Sequence, residues 1–109
     1  MKLTFLGKVT QGGGSPTLFA TDRGTYVVQG WKVDGKRDSV EIPHRLLGFL
    51  EQGACLGALL DDTGRGSFRL SGVTVTDTET LSQMDIPSYE TCVEVGKEKE
   101  VWISGAASG

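Results

Sequence analysis

The sequence is poor in the side chains on which most catalysis and metal binding rest. Its 109 residues contain one histidine, His44, and two cysteines, Cys55 and Cys92. Any imidazole-based acid–base scheme must therefore use His44, and the thiols can form at most one bridge. In a reducing compartment the default for such a pair is two buried thiols. No Gly-x-Ser-x-Gly elbow is present, so no serine has a nucleophile's context. Metal-ligand spacing is missing too: Asp61-Asp62 heads a turn without the calcium-loop pattern, and His44 with two distant thiols is too sparse for zinc. Positive charge is in deficit, with 11 Lys+Arg against 14 Asp+Glu and a net charge of −3, which speaks against a phosphate backbone as partner. No window reaches the roughly 20 apolar residues of a membrane helix. The opening residues, Met1 to Lys8, carry no signal-peptide core before Gly12-Gly13-Gly14 interrupts them. The expectation is a cytoplasmic protein without cofactor or metal.

Glycine, by contrast, is abundant: 16 residues against three prolines, about twice its usual frequency. Gly12-Gly13-Gly14-Ser15-Pro16 lacks the Gly-Lys-Ser/Thr of a phosphate loop and reads as a flexible hairpin loop. Much of the remaining glycine falls in a repeated unit. Gly24-Thr25-Tyr26-Val27-Val28-Gln29-Gly30-Trp31-Lys32-Val33 aligns with Gly66-Ser67-Phe68-Arg69-Leu70-Ser71-Gly72-Val73-Thr74-Val75 at an offset of 42. Each copy is preceded by an apolar stretch and a polar turn: Leu18-Phe19-Ala20 with Thr21-Asp22-Arg23, and Leu59-Leu60 with Asp61 to Arg65. Val40-Glu41-Ile42 matches Val93-Glu94-Val95 at an offset of 53, so the second copy has 11 extra residues in its connection.

Within each long strand the apolar alternation slips. Tyr26 and Val28 are even while Trp31 and Val33 are odd, and Phe68 and Leu70 give way to Val73 and Val75 in the same manner. A glycine bulge at Gly30 and at Gly72 would keep the large side chains inward while bending the strand. The fold expected is mainly β: a small curved barrel or orthogonal sandwich from two pseudo-symmetric strand-turn-strand halves, 1–53 and 54–103. Residues 104–109 read as a flexible tail. Two short helices are expected. Pro43 to Gly53 starts on proline and stops at glycine, and Thr76 with Glu79 has capping-box spacing ahead of Leu81, Met84 and Ile86-Pro87. Gly96-Lys97-Glu98-Lys99-Glu100 reads as a charged turn before a last strand, Val101-Trp102-Ile103.

Five residues stand out as candidates for binding. Trp31 and Trp102 carry the largest apolar areas, and tryptophan is enriched at interface hot spots. Trp31, directly after Gly30, either caps the core or lies at its rim. Arg23 and Arg65 occupy matching turns and could together grip an acidic partner, although solvated turn charge is the plainer reading. His44, in the first turn of its helix, would be half-exposed. Cys55 and Cys92 both read as core.

Four stretches resemble a set of short actinobacterial proteins encoded beside helix-turn-helix regulators in streptomycetes: Leu3 to Lys8, Ser15 to Asp22, Tyr26 to Val33, and Met84-Asp85-Ile86-Pro87 through Cys92-Val93-Glu94-Val95. Gly30-Trp31-Lys32-Val33 is the most particular piece. In that set this strand runs directly into the Asp-Ile-Pro connection, whereas here a short Asp34 to Asp38 turn follows it. The resemblance implies a non-enzymatic accessory role near transcriptional regulation and supplies no catalytic residue. The function expected is a protein–protein interaction module, bound to a partner protein or to itself through sheet edges. The alternatives are an oligonucleotide-binding or small-ligand-binding barrel, and behind them an enzyme pairing a cysteine with His44.

Overall fold

Segments rich in β-branched and aromatic residues, separated by glycine-marked turns, pair into an antiparallel array in a computed structural model that describes residues 1–10 and 15–100. The strands are β1 (Leu3–Lys8), β2 (Thr17–Thr21), β3 (Thr25–Val33), β4 (Lys36–Pro43), β5 (Ala54–Gly57), β6 (Asp61–Asp62), β7 (Ser67–Ser71), β8 (Val73–Thr74) and β9 (Glu90–Lys99). A 3-10 helix (His44–Phe49) follows β4, and a single-turn helix α1 (Thr78–Leu81) lies between β8 and β9. The fold is mainly β, and no helix among the described residues is long and apolar enough to cross a membrane.

β3 is the first corner strand. One edge pairs with β9 from Thr25 to Trp31. The other edge pairs with β2 up to Gln29 and then passes to β4 at Trp31. The second corner is β7 continued by β8: β7 pairs with β4 and β6, and β8 pairs with β9. β5 extends the sheet along the end of β9. Among the described residues β1 and β6 terminate the strand order, and the sheet is not closed into a barrel.

The registers of the two halves obey the two offsets read in the sequence. Trp31↔Glu41 and Lys32↔Val40 become Val73↔Glu94 and Thr74↔Val93, residue for residue. Tyr26↔Val95, Val28↔Val93 and Gln29↔Cys92 correspond to Phe68↔Ile42, Leu70↔Val40 and Ser71↔Ser39. Each half therefore lends its last strand to the corner strand of the other.

Alternation then sorts the side chains. Leu18, Ala20, Tyr26, Val28, Val93 and Val95 meet Val40, Ile42, Leu70, Leu46 and Leu56 in the main core. The opposite face of β2, β3 and β9 presents Phe19, Val27 and Cys92 to a second cluster, completed by Val75 with Leu81, Met84 and Ile86.

Several expectations need correcting. Gly30 is not the site of an extra residue: β3 pairs with β9 straight through it, and the register shift falls between Lys32 and Val33. Gly30 is a crossing point, where an added Cβ would lie 2.6 Å from the Glu41 carbonyl oxygen and 2.8 Å from Ile42 Cγ2. Gly72 repeats this against Glu94 (2.5 Å) and Val95 (2.8 Å), and there the strand breaks into β7 and β8. The run Gly96 to Lys99 is strand, because β5 supplies a partner edge. The apolar pair Leu59-Leu60 is not strand. Asp61-Asp62 pairs with β7 instead, and Leu59 is 89% exposed. The first helix is a 3-10 segment of six residues for which Pro43 is the N-cap, and the cap of α1 is Asp77, whose carboxylate accepts from Thr80 N–H at 3.0 Å. The glycine loop (11–14), the expected strand at Val101 to Ile103, Trp102 within it, and the 104–109 tail lie outside the described residues.

Candidate functional site

The turns carrying Arg23 and Arg65 are built alike. Thr21 Oγ1 accepts from the N–H groups of Arg23 (3.1 Å) and Thr25 (3.2 Å) and is bonded to Thr25 Oγ1 (2.6 Å), which donates to Glu94 (2.5 Å). Thr63 Oγ1 likewise accepts from Arg65 N–H (3.2 Å) and is bonded to Ser67 Oγ (2.7 Å), which donates to Glu41 (2.7 Å). Gly24 and Gly66 complete the turns at φ 73° and 89°, a conformation glycine adopts without strain. Arg23 then lies 3.6 Å from Glu94, and Arg65 3.5 Å from Glu41. Each arginine is tied to a carboxylate across the strand pair beside its own turn.

Away from the turns the halves diverge. The positions of Phe19, Val27, Gln29 and Cys92 correspond under the same offsets to Asp61, Arg69, Ser71 and Ser39. Phe19, Val27 and Cys92 are buried beneath the long connection that includes α1. Asp61, Arg69 and Ser71 are exposed and Ser39 is buried, the corresponding connection between β3 and β4 being only the Asp34-Gly35 turn. A concavity of about 510 Å³ lies over this uncovered face, with Arg65, Arg69, Asp61, Lys36 and the exposed Leu59 in its lining. On its floor Ser39 and Ser71 share a 2.7 Å hydrogen bond.

Glu41 is the electrostatic centre of this face. It accepts from Ser67 and from Arg69 Nε (2.9 Å), with Arg65 beside it. The Ser67 hydrogen bond, then Arg69 and the charge of both arginines, hold its carboxyl below the ordinary value. His44 joins the same end of β7: Nε2 is 3.4 Å from the Asp62 carboxylate and 3.2 Å from the Ser67 carbonyl oxygen, with its ring against Phe68. His44 and Arg65 both lie beside the Asp62–Ser67 turn, each with its own partners, while Arg23 stands at the other turn. Trp31 is half-buried and belongs to neither apolar cluster. Burial pushes the Cys92 thiol up to about 11, the opposite of what a nucleophilic thiolate needs. Cys55 Sγ points to the Glu98 carbonyl oxygen at 3.7 Å. Among the described residues no group of three or more His, Cys, Asp or Glu could hold a metal ion.

Motif reading does not point to Arg69, Glu41, Lys36 or Ser39, and takes Asp61 only as a turn residue. The signal that finds them is the offset itself: polar residues at Asp61, Arg69 and Ser39 stand where the other half has Phe19, Val27 and Cys92. No protein-family model, no curated protein and no solved structure matches the chain.

Proposed function

We propose that the protein is a non-enzymatic protein-binding module whose partner docks on the uncovered face of β4, β7 and β6. The observation that carries this reading is the unequal fate of two equivalent faces. One carries Phe19, Val27 and Cys92 beneath the chain's own connection, while the other carries Asp61, Arg69 and Ser71, concave and exposed among the described residues. It combines both signs of charge with one exposed leucine, the composition of a non-obligate interface rather than of a core. The partner that suits it is another protein with acidic and basic side chains set around an apolar contact for Leu59. The resemblance noted in the sequence makes a helix-turn-helix regulator the first partner to test, and a cytoplasmic setting goes with that role.

The test is a calorimetric titration of the purified chain with a helix-turn-helix regulator of the kind encoded beside the proteins it resembles. Micromolar or tighter binding is expected, weakened at least tenfold by Arg69→Glu and unchanged by Glu79→Lys, at an exposed position of α1. No heat at about 100 μM, a concentration corresponding to only about −5.5 kcal/mol, would overturn the regulator as partner. Equal binding by both variants would overturn the face.

A further inference from the structure

We propose that the pocket between α1 and the outer face of β3 and β9 binds a small organic amine, its ammonium group on Glu90 and its apolar arm against Leu81, Met84 and Ile86. The pocket is an open cleft of about 420 Å³ with Val75, Cys92, Glu90 and Lys32 in its lining besides these three residues. That volume falls among those of small-ligand sites, roughly 300–1,000 Å³. It lies on the covered face, apart from the docking face proposed above.

Glu90 is 3% exposed. Its Oε1 accepts from Gln29 Nε2 at 2.7 Å, and the same nitrogen donates to the Asp85 carbonyl oxygen at 2.7 Å. The Gln29 amide therefore has both its protons engaged. Glu90 Oε2 is buried without a hydrogen-bond partner among the described residues, and a buried acceptor left unmet is a costly arrangement that calls for a donor. The surroundings choose what kind of donor. Burial, with the Asp85 carboxylate as a further cause, raises the Glu90 carboxyl above its ordinary value, so the neutral acid is favoured until a cation comes against it. Lys32 also lines the pocket, but it is exposed and forms no ion pair with Glu90 among the described residues. An ammonium supplies both the missing donor and the missing charge. The apolar wall then selects an amine with a hydrocarbon arm over ammonia itself.

The probe is hexylamine, compared with hexanol and hexanoate, with binding followed by the amide and methyl NMR signals of Thr91, Cys92 and Met84 in the intact chain. Hexylamine is expected to saturate these shifts, hexanol to bind at least tenfold more weakly, and hexanoate to leave them unmoved. Glu90→Gln is expected to weaken hexylamine at least tenfold, and Met84→Trp, which fills the pocket without altering the carboxylate, to abolish the response. No response to hexylamine, an equal response to hexanol, or unaltered binding by Glu90→Gln would overturn the proposal. Should Glu90→Gln fail to fold, Met84→Trp and the uncharged and anionic probes decide. Arg69→Glu leaves this binding unchanged, so failure here is distinguishable from failure of the docking face.

Discussion

The outer faces of the two halves are the same piece of sheet put to opposite uses. Val27 and Arg69 occupy equivalent places on equivalent strands, each opposite a glutamate, Glu94 and Glu41 respectively. Around Val27 the chain adds Val75, Leu81, Met84 and Ile86 and makes a second small core. Burying a side chain of that size stabilises by about 1.5–3 kcal/mol, so the long connection is held by the face it covers. Among the described residues no connection arrives around Arg69, and the same strand positions carry Asp61, Ser39 and Ser71. Pairing geometry is thus independent of the chemistry of the outward face. The corner glycines and the inward residues keep the register, and the outward residues are free to build either a core or an interaction surface.

Exchanging residues between the faces should expose that asymmetry most strongly. Val27→Arg places a charge at a fully buried position and is expected to cost about 4 kcal/mol or more, read as a collapse of the urea midpoint. The reciprocal Arg69→Val removes an exposed pair with Glu41 and should change stability by no more than about 1 kcal/mol. Similar costs for the two would break the distinction between a covered and a bare face. Next come the crossings. Gly30→Ala and Gly72→Ala each push a Cβ into backbone and should cost about 1–3 kcal/mol apiece. Gly48→Ala, which meets open space, should stay within about 0.5 kcal/mol. A large difference between Gly30 and Gly72 would undermine the equivalence of the corners.

Two glutamates separate the faces by pH. Glu41, held below its ordinary 4.5, contributes stability that is present above pH 4.5 and lost as pH falls through its lowered value. Glu90, raised above 4.5, contributes stability that is present below pH 4.5 and lost as pH rises through its raised value. Relative to the parent protein, Glu41→Gln should therefore become less stable, and Glu90→Gln more stable, as unfolding is followed from pH 3 up to 7. Parallel curves would sink the contrast. The smallest effect belongs to the matched turns: Arg23→Ala and Arg65→Ala should each cost about 0–1 kcal/mol and agree with one another, since both side chains are mostly exposed.

Much of this was legible in the sequence because the repeat fixes strand pairing. Two offsets, one for the corner strands and one for the closing strands, are enough to generate the main ladders, and Arg23 and Arg65 were recognisable as equivalents. Local chemistry misled where tertiary pairing decides. Lys97, Glu98 and Lys99 look like a turn by composition, yet they form strand because Ala54 to Gly57 lies alongside. Leu59-Leu60 look like strand by hydropathy, but the offset makes Asp61 the counterpart of Phe19, and pairing follows the offset. The slip at Gly30 marks a corner, but the corner holds no inserted residue. Side-chain count cannot tell a bulge from a place where one strand crosses close over another. The emptiness over Arg69 was readable only by asking which copy lacked the longer connection.

The exchange of closing strands also sets a timetable for the chain as it is made. β3 emerges with its Thr25–Trp31 edge bare, and the partner for that edge, β9, is translated about 60 residues later, a delay of roughly 3–12 s at ordinary synthesis rates. Until then a long apolar strand waits beside the ribosome unpaired, and the nascent protein depends on β2 and β4 to shield its other side.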